Sequence, residues 1–178
     1  MPFSIELNFD EESSLIVKNM WKKLKERGIS DYMDEFGEYP HISLAIIDDI
    51  NISEVEMIIE KVVKDESEFN IRMSNLGSFP SDEGVLFISP DPSDILINFH
   101  KKLHKHMENI KGQSKYYLPE FWHPHCTLGM NIAKSKMPEA FEVVKEDFKP
   151  FDVKIETIKL IEFDPVKVIK SFRFLDVV

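Results

Sequence analysis

The sequence predicts an α+β fold of mostly antiparallel strands with helices on their outer faces, arranged as two similar lobes around one cleft. Three observations predict it. Strand-like and helix-like segments are interspersed, and turn signals near Pro80 and Pro165 join neighbouring strands into hairpins. The tetrapeptide His41-Ile42-Ser43-Leu44 returns 84 residues later as His125-Cys126-Thr127-Leu128, each time directly after a proline (Pro40, Pro124). The same offset pairs Phe3 with Phe87, Asp10 with Asp94, Gly28 with Gly112, Ser30 with Ser114 and Tyr32 with Tyr116. It also pairs Ile71 with Ile155, Leu76 with Leu160 and Phe79 with Phe163. Two repeats are too few for a solenoid. The repeats, about 1–84 and 85–178, are therefore read as lobes of one domain (1–178), each donating one His strand.

Phe3 to Phe9 reads as the first strand, and Asp10 caps a helix carrying Leu15, Ile16, Met20 and Leu24 until Gly28 stops it. A loop with Tyr32, Phe36, Gly37 and Tyr39 leads into the first His strand, which Asp48-Asp49 end. Ser53 and Glu56 form a capping box ahead of the stripe Val55, Ile58, Ile59, Val62. Phe69 to Leu76 and Val85 to Ser89 make a hairpin. Asp91-Pro92 starts the next helix, with Leu96, Phe99, Leu103 and Met107 on its apolar face. After Gly112, Tyr116, Tyr117, Phe121 and Trp122 lead to a strand at His125 to Met130. A helix over Pro138 to Phe148 and a long strand over Phe151 to Phe163 follow. Asp164-Pro165 turn the chain into a last strand, Val168 to Val177. The segments Tyr32 to Glu38 and Gln113 to Phe121 are candidate flaps over the cleft.

Composition narrows the class. The chain has 178 residues, 43% of them apolar and 30% charged, which suits one compact domain with a sizeable core. A lone cysteine, Cys126, excludes an internal disulfide and a Cys-based zinc site. No apolar run suggests a signal peptide or a membrane span, so the cytoplasm is the expected location. A net charge of −10 argues against a protein that grips duplex nucleic acid, which calls for a basic footprint. A small nucleotide or an RNA end is the expected partner. Lys101, Lys102 and Lys105, like Lys167, Lys170 and Arg173, are expected to be solvated faces.

The recurring tetrapeptides carry the chemistry. Alternate strand residues share a face, about 6.5–7 Å apart. His41 and Ser43 therefore point one way, and His125 and Thr127 do likewise in their own strand. Two such strands side by side offer two titratable imidazoles and two hydroxyl donors, a set suited to a phosphoryl centre. Tyr39, Tyr116, Tyr117 and Trp122 stand just before the motifs and are candidates to stack on a base, with loop packing as the alternative for each. Cys126 falls on the opposite strand face, which argues against a nucleophilic role. His100 and His104 share a helix face, His106 follows, and His123 and His125 form H-x-H. Lys101 and Lys102 fill the place where a zinc helix would carry glutamate. The expectation is no metal and no cofactor, with His100, His104 and His106 at a solvated helix end. The alternative to an enzyme is a non-catalytic module that holds a nucleotide or a protein.

The paired motifs, their spacing and their flanking prolines resemble the signature of the 2H phosphoesterase superfamily. That superfamily includes 2′–5′ RNA ligase-like proteins and cyclic phosphodiesterases. The resemblance covers nearly the whole chain. It implies a bilobal sandwich of two mostly antiparallel sheets with a central groove and metal-independent chemistry. The implied reaction is hydrolysis of a 2′,3′-cyclic phosphate or a related nucleotide phosphodiester, reversible as 2′–5′ ligation. The resemblance implies His41 as acid and His125 as base, with Ser43 and Thr127 on the phosphate. The residues alone leave the acid and base roles open. Two departures stand out: Ser43 replaces a common threonine, and Gly129-Met130 stand where some members carry a basic residue.

Overall fold

The computed structural model describes residues 2–35, 39–163 and 165–177. Phe36 and Gly37 of the expected loop, and Asp164 of the expected turn, lie outside the described residues. The fold is α+β, and among the described residues seven strands pair antiparallel in one sheet. In chain order the strands are β1 (Phe3–Phe9), β2 (His41–Ile47), β3 (Phe69–Ser78), β4 (Leu86–Pro90), β5 (Cys126–Gly129), β6 (Phe151–Glu162) and β7 (Lys167–Arg173). The helices are α1 (Glu11–Glu26), α2 (Tyr32–Glu35), α3 (Ile52–Val63), α4 (Asp94–His106) and α5 (Met137–Lys145), with a 3₁₀ turn at Lys115–Tyr117.

The two sheets expected from the sequence are joined through β6. This strand is 12 residues long, enough to serve both lobes. Its first part pairs with β3, and its remainder lies between β1 and β7. The strand order β2-β1-β6-β3-β4-β5 places the two motif strands at opposite ends, yet β2 and β5 touch. The sheet therefore bends until its ends face each other across the groove.

The elements recur in the same order along the chain. A shift of 84 residues lays β1 on β4, α1 on α4, β2 on β5, α3 on α5 and β3 on β6. Each half passes its last strand to the other: β6 completes β1-β2, and β3 completes β4-β5. The halves meet where β3 pairs with β6, in a register that sets Asn70 opposite Lys154, its own repeat equivalent.

Apolar burial holds this together. On β1, Ile5 and Leu7 are fully buried and Phe9 nearly so. They join Val17, Met20, Trp21 and Leu24 of α1 in a continuous core, where the hydrophobic effect supplies the main driving force. α1 packs beside α5, and α3 beside α4. Asp10 starts α1 as expected: its carboxylate accepts from Ser13 N at 2.9 Å and from Lys154 N at 2.8 Å, tying the helix to β6.

Several boundaries differ from the sequence reading. Asn51, not Ser53, caps α3 by accepting from Glu54 N, because asparagine is an equally good cap slightly earlier in the chain. Ser93 caps α4 in place of Asp91-Pro92. The cause is β4, which continues to Pro90 and hands Asp91 N to Arg72 O at 2.8 Å. Leu15 is 61% exposed, and Val17 and Trp21 take the inner face of α1 instead. Gly84, at φ +56°, lets the chain pass the Ile132 carbonyl where any Cβ would collide. No helix among the described residues is long and apolar enough to cross a membrane.

Candidate active site

Both prolines have a visible consequence. His41 Nδ1 lies 2.6 Å from Tyr39 O, and His125 Nδ1 lies 2.7 Å from His123 O. In each case the ring folds back over its proline onto the carbonyl two residues upstream. A carbonyl only accepts, so Nδ1 carries the proton and Nε2 of each ring is left for other partners. His41 opens β2, while His125 sits one residue before β5, short of the strand expected there.

The hydroxyl residues are anchored from behind by indoles from the opposite half of the chain. Trp122 Nε1 donates to Ser43 O at 2.9 Å, and Trp21 Nε1 donates to Thr127 O at 3.0 Å. Each donor satisfies a backbone carbonyl and fixes the strand residue whose side chain faces the groove. Cys126 and Leu128 are buried in the core on the other face.

The surroundings of the two imidazoles differ. His125 packs against Phe79 (centroids 4.8 Å apart, edge-on) and Phe87 (5.3 Å). Burial here pushes the ring down to about 4, and the neighbouring His123 and His41 act in the same direction against the hydrogen bond to His123 O. His41 instead has Glu6 Oε1 at 3.5 Å from its Nε2. Glu6 is only 4% exposed. Ser43 on β2 and Lys159 on β6 stand opposite it in the sheet register.

The candidate aromatics divide. Tyr39 lines a pocket with His41, Glu6 and Asn8, and its ring carries Lys159 Nζ at 4.3 Å and Lys18 Nζ at 5.0 Å. Tyr117 is pushed up to about 12 by burial and by the Glu6 and Glu83 carboxylates, so its hydroxyl stays protonated. Tyr116 is 68% exposed and carries Lys115 over its ring. Trp122 meets protein on its N–H and on its ring face, where His100 stacks at 3.7 Å.

His100 and His104 correct the expectation of a solvated helix end. They are 1% and 6% exposed, and both direct Nε2 at the carbonyl of Leu44, at 3.0 and 2.9 Å. Burial lowers both rings, His100 to about 3. They brace β2 from its core side. Among the described residues no group of three His, Cys, Asp or Glu side chains could hold a metal ion. Of the basic clusters, Lys102 pairs with Glu66, Lys170 with Glu56 and Glu60, and Arg173 with Asp176.

Sequence reasoning missed Glu6, Lys159, Phe79 and Phe87. The signal for Glu6 was present: Ser4, Glu6 and Asn8 alternate with Ile5, Leu7 and Phe9. That pattern reads as an ordinary solvated face. β1 is an inner strand, however, and its polar face is the floor of the groove.

Comparison with known proteins gives the family and the fold. The 2'-5' RNA ligase superfamily matches residues 17–167. Curated protein sequences contain no match. The crystal structure of TT0787 of Thermus thermophilus superposes with a TM-score of 0.68 at 16% identity, covering 100% of both chains. The apo form of E. coli LigT superposes at 0.66 with 11% identity, covering 98% of this chain and 97% of its own. E. coli LigT complexed with 3'-AMP superposes at 0.59 with 10% identity, covering 97% of each. With the family matched over most of its length and the fold shared from end to end, the protein belongs to the 2'-5' RNA ligase superfamily of 2H phosphoesterases.

Proposed function

We propose that the protein is a metal-independent phosphodiesterase that opens a 2′,3′-cyclic phosphate, or a related nucleotide or RNA-end diester, with two histidines. The observation that carries the reading is the matched pair of rings. Each has its Nδ1 committed to a carbonyl two residues upstream, which leaves Nε2 available for proton transfer. In the forward direction, His125 Nε2 takes a proton from water as the water oxygen bonds to phosphorus. His41 gives its Nε2 proton to the ribose oxygen as the bond from phosphorus to that oxygen breaks. The Ser43 and Thr127 hydroxyls donate to the non-bridging oxygens, where charge gathers. The product is a monoester, and both rings exchange protons with solvent to reset. Run in the same direction with a ribose 5′-hydroxyl in place of water, the 5′ oxygen bonds to phosphorus as the bond from phosphorus to the 3′ oxygen breaks, and the steps join a 2′–5′ linkage. A nucleotide substrate is supported by the fold shared with E. coli LigT, which has been crystallised with 3'-AMP. A cytoplasmic site of action belongs to the same proposal.

Turnover of 2′,3′-cyclic nucleotides and a cyclic-phosphate-ended oligonucleotide in EDTA tests it. The expected result is cleavage by the wild type and a loss of about 10²-fold or more in both His41→Ala and His125→Ala. Nucleotide affinity without any turnover would instead favour a binding module.

A further inference from the structure

Two ammonium groups converge on one ring beside His41. Lys159 Nζ of β6 lies 4.3 Å from the centroid of Tyr39, and Lys18 Nζ of α1 lies 5.0 Å from it. Elsewhere lysines stand against carboxylates: Lys22, Lys102, Lys136, Lys154 and Lys170 each have one at 3.8 Å or less. Among the described residues neither Lys18 nor Lys159 has such a partner. The sequence withholds one from Lys18, since the residues three and four away along α1 are Ser14, Leu15, Trp21 and Lys22. Lys159 has Ser171 on one side in the sheet and Glu6 on the other. The Glu6 carboxylate lies toward His41, with Oε1 3.5 Å from Nε2. Two cations beside one carboxylate leave a positive spot on a chain of net charge −10. Bringing like charges together costs energy, and the negative face of the ring offsets part of it. Burial lowers the Lys159 ammonium; Glu6 works against that, and Lys18 adds to it. Each ammonium carries three donors, and a ring face engages one side of it. The other donors are left for an anion that the chain itself does not supply. Asn8 is a second sign of a ligand. It is 4% exposed, lines one pocket with Tyr39 and His41, and has a partner at neither its amide nitrogen nor its oxygen. Buried amides are rarely left so.

We infer that Lys18, Lys159 and Tyr39 form a subsite for a second phosphate, the one on the 5′ side of the nucleoside whose cyclic phosphate is opened. The inference rests on the phosphodiesterase reading above and deepens it by naming the substrate class: a nucleotide or RNA end that carries two phosphates. The spacing suits this. Ser43, Glu6 and Lys159 form one row across β2, β1 and β6, which sets Lys159 about 9.5 Å from Ser43, backbone to backbone. A ribose with a phosphate on each side bridges that span, one phosphate at the Ser43 hydroxyl and the other at the two ammonium groups. The unpartnered Asn8 amide, opposite His41 in the register, is then placed to meet the ribose between them. Tyr39 takes a different part from the expected one. A ring already engaged by two ammonium groups holds them in place for the phosphate and is no platform for a base.

Calorimetric titration of the full chain with adenosine 3′,5′-bisphosphate and with adenosine 3′-monophosphate separates the second phosphate from the first. The bisphosphate is expected to bind about tenfold or more tighter, with a difference that shrinks as salt is added. Lys18→Gln and Lys159→Gln should each cut that preference severalfold, and Lys18→Glu should abolish it. Lys101→Gln, on α4, should leave it unchanged. A wild-type ratio near one overturns the inference, because the lysines then only hold Tyr39. An equal loss in Lys101→Gln overturns it too, because the charge then acts at long range. So does a failure to bind either nucleotide. Lys18 is exposed on α1, so its variants read the subsite even where Lys159→Gln fails to fold. The phosphodiesterase reading is judged separately, by turnover of 2′,3′-cyclic nucleotides in EDTA. A preference for the bisphosphate without turnover supports the subsite while that reading falls. With turnover, two further substrates identify the source of the second phosphate. A gain in kcat/KM for a 5′-phosphorylated 2′,3′-cyclic nucleotide alone marks a free nucleotide. The same gain for a dinucleotide ending in a cyclic phosphate marks an RNA end.

Discussion

Trp122 and His100 lie face to face, ring centroids 3.7 Å apart and planes 4° from parallel, while the indole N–H reaches Ser43 O at 2.9 Å. One side chain from the segment before the second motif thereby braces the strand of the first. Trp122→Phe keeps a stacking ring but strands the Ser43 carbonyl. It should lose about 1–2 kcal/mol in urea unfolding. It should also lower kcat more than it changes KM, because the Ser43 hydroxyl moves with its backbone. A KM effect alone, at unchanged kcat, would show that the strand needs no such brace.

His100 and His104 make the fold sensitive to acid. Both rings are held neutral by burial, His100 at about 3, against about 6.5 in the unfolded chain. Between those values the unfolded chain binds more protons. Stability is therefore full above about pH 6.5 and falls as the pH drops toward 3. Each ring can cost up to about 1.4 kcal/mol per pH unit over its own window. Urea midpoints at pH 7.5, 6 and 5 should fall steadily, and His100→Leu should flatten the slope. A slope unchanged by that substitution would exclude His100 as a source.

In the proposed reaction the same physics at His125 acts on rate. A base held near 4 is neutral throughout the physiological range. The acid limb of kcat/KM should therefore fall near pH 4 rather than 6.5, as protonation removes the base. Phe87→Ala admits water to the ring and should carry that limb upward toward 6.5. Rapid pH-jump assays keep the measurement ahead of acid unfolding. A limb that stays in place in Phe87→Ala would assign it to another group.

Much of this was legible in sequence. Periodicity placed the apolar strands and helices, and Asp10 announced the start of α1, because these signals are local. The recurrence of His-x-Ser/Thr fell at β2 and β5, the two ends of the strand order. What escaped depends on partners distant in the chain. His100 and His104 look like solvated residues beside lysines until β2 brings the Leu44 carbonyl within reach, 56 and 60 residues away in sequence. Glu6 looks solvent-facing until β6 and β2 close on both sides of β1. The joining of two expected sheets rests on the length of β6, and alternation in one strand says nothing about which neighbours it takes.

Because β6 runs through both halves of the sheet, the two walls of the groove share one continuous strand. Spreading them would break the Phe69–Met73 register with β6. For the proposed reaction, a phosphate would meet walls whose spacing a shared strand already holds, and little reorganisation would be left for the moment of reaction.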